Sequence, residues 1–128
     1  MNDLKLFQIT EQDRAHYQKI IRQIDVNNKD IIIKFLGEKI QEIINHGDLN
    51  RAELKLIEDM GKLTRILERN IDLPKLVIQK ILFAMSYFID EDDEIPDVIP
   101  EYGYLDDVSV VSWVMEDIKG KLPEAATA

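Results

Sequence analysis

Four aspartates in the last third of the chain have the side-chain type and spacing of a divalent-cation site: Asp93, Asp97, Asp106 and Asp107. They lie on either side of a segment whose backbone is restricted by Pro96 and Pro100 and turned by Gly103. Hard cations such as Mg²⁺ and Ca²⁺ take oxygen ligands of this kind, and a bound ion would offset the repulsion between neighbouring carboxylates. The residues therefore predict a Mg²⁺, Ca²⁺ or Mn²⁺ site, either structural or able to polarise a phosphoryl group.

The same residues also have a purely structural explanation. Asp97 has the side chain for an Asx-type turn, and Asp106 or Asp107 has the side chain for the N-cap of a last helix. The two prolines and Gly103 would then only shape a tight connection. Both interpretations stay open from the sequence alone.

An EF-hand loop is a further alternative, because acids occupy its first, third, fifth and twelfth positions: Asp90, Asp92, Glu94 and Glu101. The sharp turn of that loop requires glycine, and Ile95 stands there, followed at once by Pro96. We therefore reject the EF-hand interpretation.

The acidic residues are concentrated in one part of the chain. The net charge is −9, from 16 Lys+Arg and 25 Asp+Glu, yet the 38 residues of 81–118 contain no Lys or Arg and eleven of the acids. This one-sided charge favours a surface that binds a basic protein partner. The candidate contact residues are Asp90, Glu91, Asp92, Glu94, Tyr102 and Tyr104. The alternative for the acids is a solvated charge run. Tyr102, Tyr104 and Trp113 form either an exposed aromatic anchor beside the acids or contacts that pack the loop onto the central helix.

Composition excludes several classes of function. No cysteine is present, which excludes disulfides, thiolate metal sites and cysteine nucleophiles. The acidic balance argues against nucleic acid and anionic membranes as partners. No apolar run is long enough to cross a bilayer and no leader segment is evident, so we expect a cytoplasmic protein. His16 and His46 lack any metal-ligand spacing and are expected on helix exteriors.

Five helices must position these residues. Thr10 is a candidate N-cap for a helix over about 11–24, with Tyr17, Ile20, Ile21 and Ile24 on its buried face. A second helix uses Leu36, Ile40, Ile43 and Ile44 and ends at Gly47 in a left-handed conformation. A capping box of Asn50 and Glu53 opens a third helix, which ends near residue 70. The last helix follows Asp106 or Asp107 and ends at Gly120.

The fourth helix, over about 74–89, is apolar nearly all round, which is typical of a central helix wrapped by others. The sequence thus predicts an all-α fold, a single compact domain over 1–128 built around this helix. A Pro-rich acidic loop over 90–104 follows it.

The motif residues resemble those of the YkvA-like family, also called domain of unknown function 1232, over about residues 80–118. The matching positions are Tyr87, Asp93, Ile95, Pro96, Asp97, Ile99, Pro100, Gly103, Asp106 and Asp107. Asp90 and Glu91 replace the usual Ser-Pro, and Glu94 replaces an apolar residue. The resemblance implies an apolar helix after the motif, and it implies no particular reaction.

These observations together favour a non-enzymatic regulatory or adaptor module that presents the acidic loop to a basic protein surface. The alternative is the cation site at the four aspartates, with Mg or Ca as the cofactor. Self-association stays open.

Overall fold

The computed structural model describes residues 9–69, 72–89 and 105–120. Its helices are α1 (Glu11–Gln23), α2 (Lys29–Asn45), α3 (Arg51–Arg69), α4 (Lys75–Ile89) and α5 (Leu105–Lys119), with a short 3₁₀ turn (Val26–Asn28) between α1 and α2. No strand occurs within these ranges, so the predicted all-α fold of five helices is confirmed. The acidic loop predicted over 90–104 lies outside the described residues.

Reciprocal capping hydrogen bonds start two of the helices. The backbone N–H of Asp13 donates to Thr10 Oγ1 and the N–H of Thr10 donates to Asp13 Oδ2, both at 3.0 Å. The same exchange joins Asn50 and Glu53, at 2.8 and 2.9 Å. Each pair satisfies backbone donors that the first turn of a helix leaves without partners. Both predicted starts are therefore confirmed.

The end of α2 depends on a glycine. Gly47 has a backbone φ of 111°, a value that residues with a Cβ atom rarely adopt.

The β-branched run of residues 31–33 lies inside α2. Ile32 and Ile33 pack against the core, and this packing outweighs a local preference for strand.

The helix α4 is the centre of the fold, as predicted. It contacts each of the other four helices. Buried side chains occur all round it, from Val77 to Phe88, and they include the polar Gln79 and Lys80. Leu76, in its first turn, is an exception, with 42% of its surface exposed.

Two residues predicted on buried faces are exposed. Ile20 in α1 and Ile44 in α2 keep 37% and 45% of their surfaces accessible. Ile20 lies about 80° round α1 from the midpoint between Tyr17 and Ile21, and Ile44 lies about 100° round α2 from Ile43, at roughly 100° per residue. The stripe that contacts the core is narrower than the apolar pattern, and Tyr17, Ile21 and Ile43 occupy its centre.

The start of α5 also differs from the prediction. The helix begins at Leu105, so Asp106 and Asp107 lie inside its first turn and neither is the residue that precedes it. The partial positive charge at a helix N-terminus favours acidic residues throughout the first turn, and not only at the cap. None of the described helices is long and apolar enough to span a bilayer.

Candidate functional site

Most of the residues predicted to form a site lie outside the described part of the chain. They are Asp90, Glu91, Asp92, Asp93, Glu94, Pro96, Asp97, Pro100, Tyr102, Gly103 and Tyr104. Asp106 and Asp107 are placed by their backbone in α5. The structure instead describes the two helices that enter and leave this segment, and these helices fix where its ends lie.

The helices α4 and α5 pack against each other in antiparallel directions. Lys80, early in α4, contacts Asp117, late in α5. Further along α4, Phe83 and Tyr87 contact the ring of Tyr17. Trp113, which lies further back along α5, contacts the same ring. The contacts therefore advance along one helix as they retreat along the other. As a result, the end of α4 and the start of α5 lie at the same end of the helix pair.

The contact between Lys80 and Asp117 is a partly buried ion pair. The ammonium group of Lys80 donates to Asp117 Oδ2, with 10% of the lysine side chain and 36% of the aspartate side chain exposed. Asp117 is one of the eleven acids of the 81–118 segment, and this pairing binds it to the core of the fold. It therefore does not add to a free acidic surface.

Gln79 joins the same helix to the end of α1. Its side-chain Nε2 donates to the backbone carbonyl of Ile24 at 3.0 Å and to that of Arg22 at 3.3 Å. The last carbonyls of a helix have no partner within the helix, and a buried side-chain amide satisfies them here. Gln79 is only 5% exposed, so this link lies inside the fold.

Tyr17 from α1 lies at the centre of an aromatic cluster. Its ring centroid is 5.4 Å from that of Phe83, 5.9 Å from that of Tyr87 and 5.8 Å from that of Trp113. These distances and the tilted ring planes are favourable for aromatic pairs. Trp113 thus packs against the core. Tyr102 and Tyr104 lie outside the described residues, so the packing of the loop onto the central helix stays a prediction.

The residues that flank the acidic segment are anchored in the core. Phe88, one position before the end of α4, and Val108, in the first turns of α5, are fully buried. The ammonium group of Lys39, itself 9% exposed, lies 6.0 Å from the centroid of the Phe88 ring. Both ends of the segment are therefore attached to well-packed helices.

Among the side chains that the structure describes, no three histidine or acidic groups are placed to hold a metal ion. The predicted cation cluster depends on Asp93 and Asp97, outside the described residues, so it stays a prediction. His16 and His46 are exposed, in agreement with their predicted positions on helix exteriors.

The roles of the two buried polar residues of α4 were not predicted from the sequence. Gln79 and Lys80 interrupt an otherwise apolar helix, and a polar residue in a central helix is itself a signal that a buried partner exists. The identity of that partner is not encoded locally, because it lies 55 residues away for Gln79 and 37 for Lys80.

No curated protein and no solved structure matches the chain. A family model does match part of it, from Ile78 in α4 to Trp113 in α5. This match confirms the resemblance seen in the motif residues. Residues 78–113 thus correspond to the family described as Protein of unknown function (DUF1232).

Proposed function

We propose that the chain is a small regulatory or adaptor module that presents the acidic segment 90–104 to a basic surface on a protein partner. The observation that carries the proposal is the position of the acids. Of the eleven acids in 81–118, all but Glu116 and Asp117 lie between the end of α4 and the first turn of α5. Because the two helices are antiparallel, both limits of this acidic stretch lie at one end of the helix pair.

The anchored ends support this role on energetic grounds. Association costs conformational freedom at the interface, and a segment that is held at both ends by packed helices has less freedom to lose than an open chain end. The buried Phe88 and Val108 provide these anchors. Concentrated charge of one sign accelerates encounter with an oppositely charged partner and disfavours partners of like charge.

Charge reversal tests the proposal. The variant D90K/E91K/D92K/E94K removes the acidic character of the segment, and partners are recovered on the immobilised protein and identified by mass spectrometry. A matched control, D30K/E38K/E42K/E68K, makes the same change in net charge at exposed positions of α2 and α3. We expect to find proteins that bind to the wild type and to the control but not to the segment variant.

The same partners should dissociate as salt is raised, since screening weakens interactions between exposed charges. Circular dichroism and thermal melting establish that each variant is folded before binding is compared. Partners that survive reversal of the segment, or that are lost equally from the control, would contradict the proposal.

The alternative, a divalent-cation site at Asp93, Asp97, Asp106 and Asp107, makes a different prediction. Calorimetric titration with Mg²⁺, Ca²⁺ and Mn²⁺ would then show saturable binding, with a rise in melting temperature that the variant D93N/D97N abolishes. Under the adaptor proposal, millimolar cations produce neither effect.

A further inference from the structure

A groove lies between α3 and α5, beside the second half of α5. Its volume is about 590 Å³, within the range of about 300–1,000 Å³ typical of sites for small molecules. Leu63 and Ile118 are essentially fully buried, so the apolar surface that a ligand can reach in the groove is that of the half-buried Ile66 and Met115. A ligand with an apolar body would therefore find a surface that it can cover.

The rim of the groove carries more positive than negative charge, although the chain as a whole is acidic. Its lining includes Lys55, Lys62 and Lys119 but only two carboxylates, those of Asp59 and Glu116. The lining thus has three cations and two anions, and Glu58, 3.4 Å from Lys62, offsets the excess positive charge unless that exposed pair opens.

Existing ion pairs decide which of these charges are available. Asp59, with 4% of its side chain exposed, accepts from Lys55 Nζ at 3.1 Å through Oδ2, so these two charges offset each other. Lys62 lies 3.4 Å from Glu58, and both of these side chains are largely exposed. Such a surface pair contributes about 0–1 kcal/mol and is readily exchanged for another anion.

Lys119 is the most available cation of the groove. Within the described ranges, no carboxylate lies within ion-pair distance of its ammonium group. It stands in the last turn of α5, where the negative end of the helix dipole favours a cation. The ammonium groups of Lys119 and Lys62 thus lie beside the apolar lining, where they can pair with an anionic group of a ligand.

We propose that this groove binds a small amphipathic anion, with its apolar body against Ile66 and Met115 and its carboxylate or phosphate head near Lys62 and Lys119. None of the residues that line this groove belongs to the acidic segment, and its α5 residues are those of the second half of the helix. Its presence or absence does not depend on the function proposed above.

A pair of probes with the same ring and opposite charge tests the proposal. The probes are 2-naphthoate and 2-naphthylmethylammonium, with 2-naphthyl phosphate added to distinguish carboxylate from phosphate heads. Binding to the full chain is followed by calorimetry and by ¹H–¹⁵N shift mapping. We expect saturable binding of the anions, with shifts concentrated on α3 and the second half of α5, and much weaker binding of the cation.

Matched variants connect the binding to the groove. The double variant K62Q/K119Q should weaken 2-naphthoate binding by about tenfold or more, equivalent to about 1.4 kcal/mol. The control K19Q/K34Q makes the same charge change at exposed positions of α1 and α2 and should bind as the wild type does. S112F places a large side chain in the groove and should block binding. If S112F does not fold, the comparison of the lysine variants still tests the proposal.

Three results would overturn the proposal. They are equal affinity for the anion and the cation, equal weakening in K19Q/K34Q and K62Q/K119Q, and the absence of saturable binding at millimolar 2-naphthoate.

Discussion

Lys80 and Asp117 face each other across the interface of α4 and α5, and their exposures are unequal. The lysine side chain is 10% exposed, whereas the aspartate side chain is 36% exposed. The ammonium group therefore depends on its carboxylate partner more than the carboxylate depends on the ammonium group, because water reaches only the aspartate to a useful extent.

We expect this inequality to appear in the free energy of unfolding. Asp117→Asn should lower it by about 2 kcal/mol, since it withdraws the charge that compensates a buried cation, and Lys80→Met by about 1 kcal/mol. Urea denaturation followed by circular dichroism measures both. Lys62→Met is the control, because its exposed pair with Glu58 predicts a change below about 1 kcal/mol. A larger loss for Lys80→Met than for Asp117→Asn would contradict this account.

Gln79 offers a test of the link between α4 and α1. Gln79→Met keeps the approximate size of the side chain but removes the donor to Ile24 and Arg22, so we expect a loss of about 1–3 kcal/mol. Gln79→Glu should be worse, because an ionised carboxylate only accepts hydrogen bonds and would face two carbonyl oxygens. Hydrogen exchange should show faster opening at the end of α1 in both variants. Unchanged exchange there would argue against the link.

Tyr17 is expected to be the most sensitive position of the aromatic cluster. Tyr17→Ala removes a 6% exposed ring that contacts Phe83, Tyr87 and Trp113, and should cost about 3–5 kcal/mol. Because Trp113 is the single tryptophan, its emission should also shift to longer wavelength in the folded variant. His16→Ala, at the exposed neighbour, should change stability by less than about 0.5 kcal/mol. Equal effects at the two positions would show that the cluster does not contribute as described.

Two glycines of the second helix region form a matched pair. A methyl group added at Gly37 or at Gly47 meets no atom within 4 Å, so only the backbone conformations differ. Gly37→Ala, inside α2, should stabilise the protein by about 0.5–1 kcal/mol, whereas Gly47→Ala, at a φ of 111°, should destabilise it by about 1–2 kcal/mol. Thermal or urea unfolding measures the two shifts. Shifts of the same sign would mean that the conformation of Gly47 is not required.

The features predicted correctly from the sequence are those encoded within a few residues. The capping partners of α1 and α3 are only three positions apart, Thr10 with Asp13 and Asn50 with Glu53. The starts of both helices can therefore be predicted from the local sequence. The conformation of Gly47 follows from the same kind of local requirement. Periodicity identified the buried faces but overstated their width, which depends on how closely neighbouring helices approach.

The partners of the buried polar groups could not be predicted in this way. Nothing near Gln79 indicates that its amide reaches the end of α1, and nothing near Lys80 selects Asp117 among the many acids of the C-terminal third. Such pairings depend on the tertiary arrangement. The candidate site itself, at Asp93 and Asp97, lies outside the described residues, so its chemistry stays a prediction from sequence.

The enclosure of α4 has a practical consequence for recombinant work on this protein. The family match begins inside α4 and includes none of α1, α2 or α3, yet those helices cover much of its apolar surface. A fragment limited to residues 78–113 would expose the apolar surface of α4 to solvent, and we expect it to aggregate. Expression boundaries should therefore keep all five helices together with Ile9, which packs against the core.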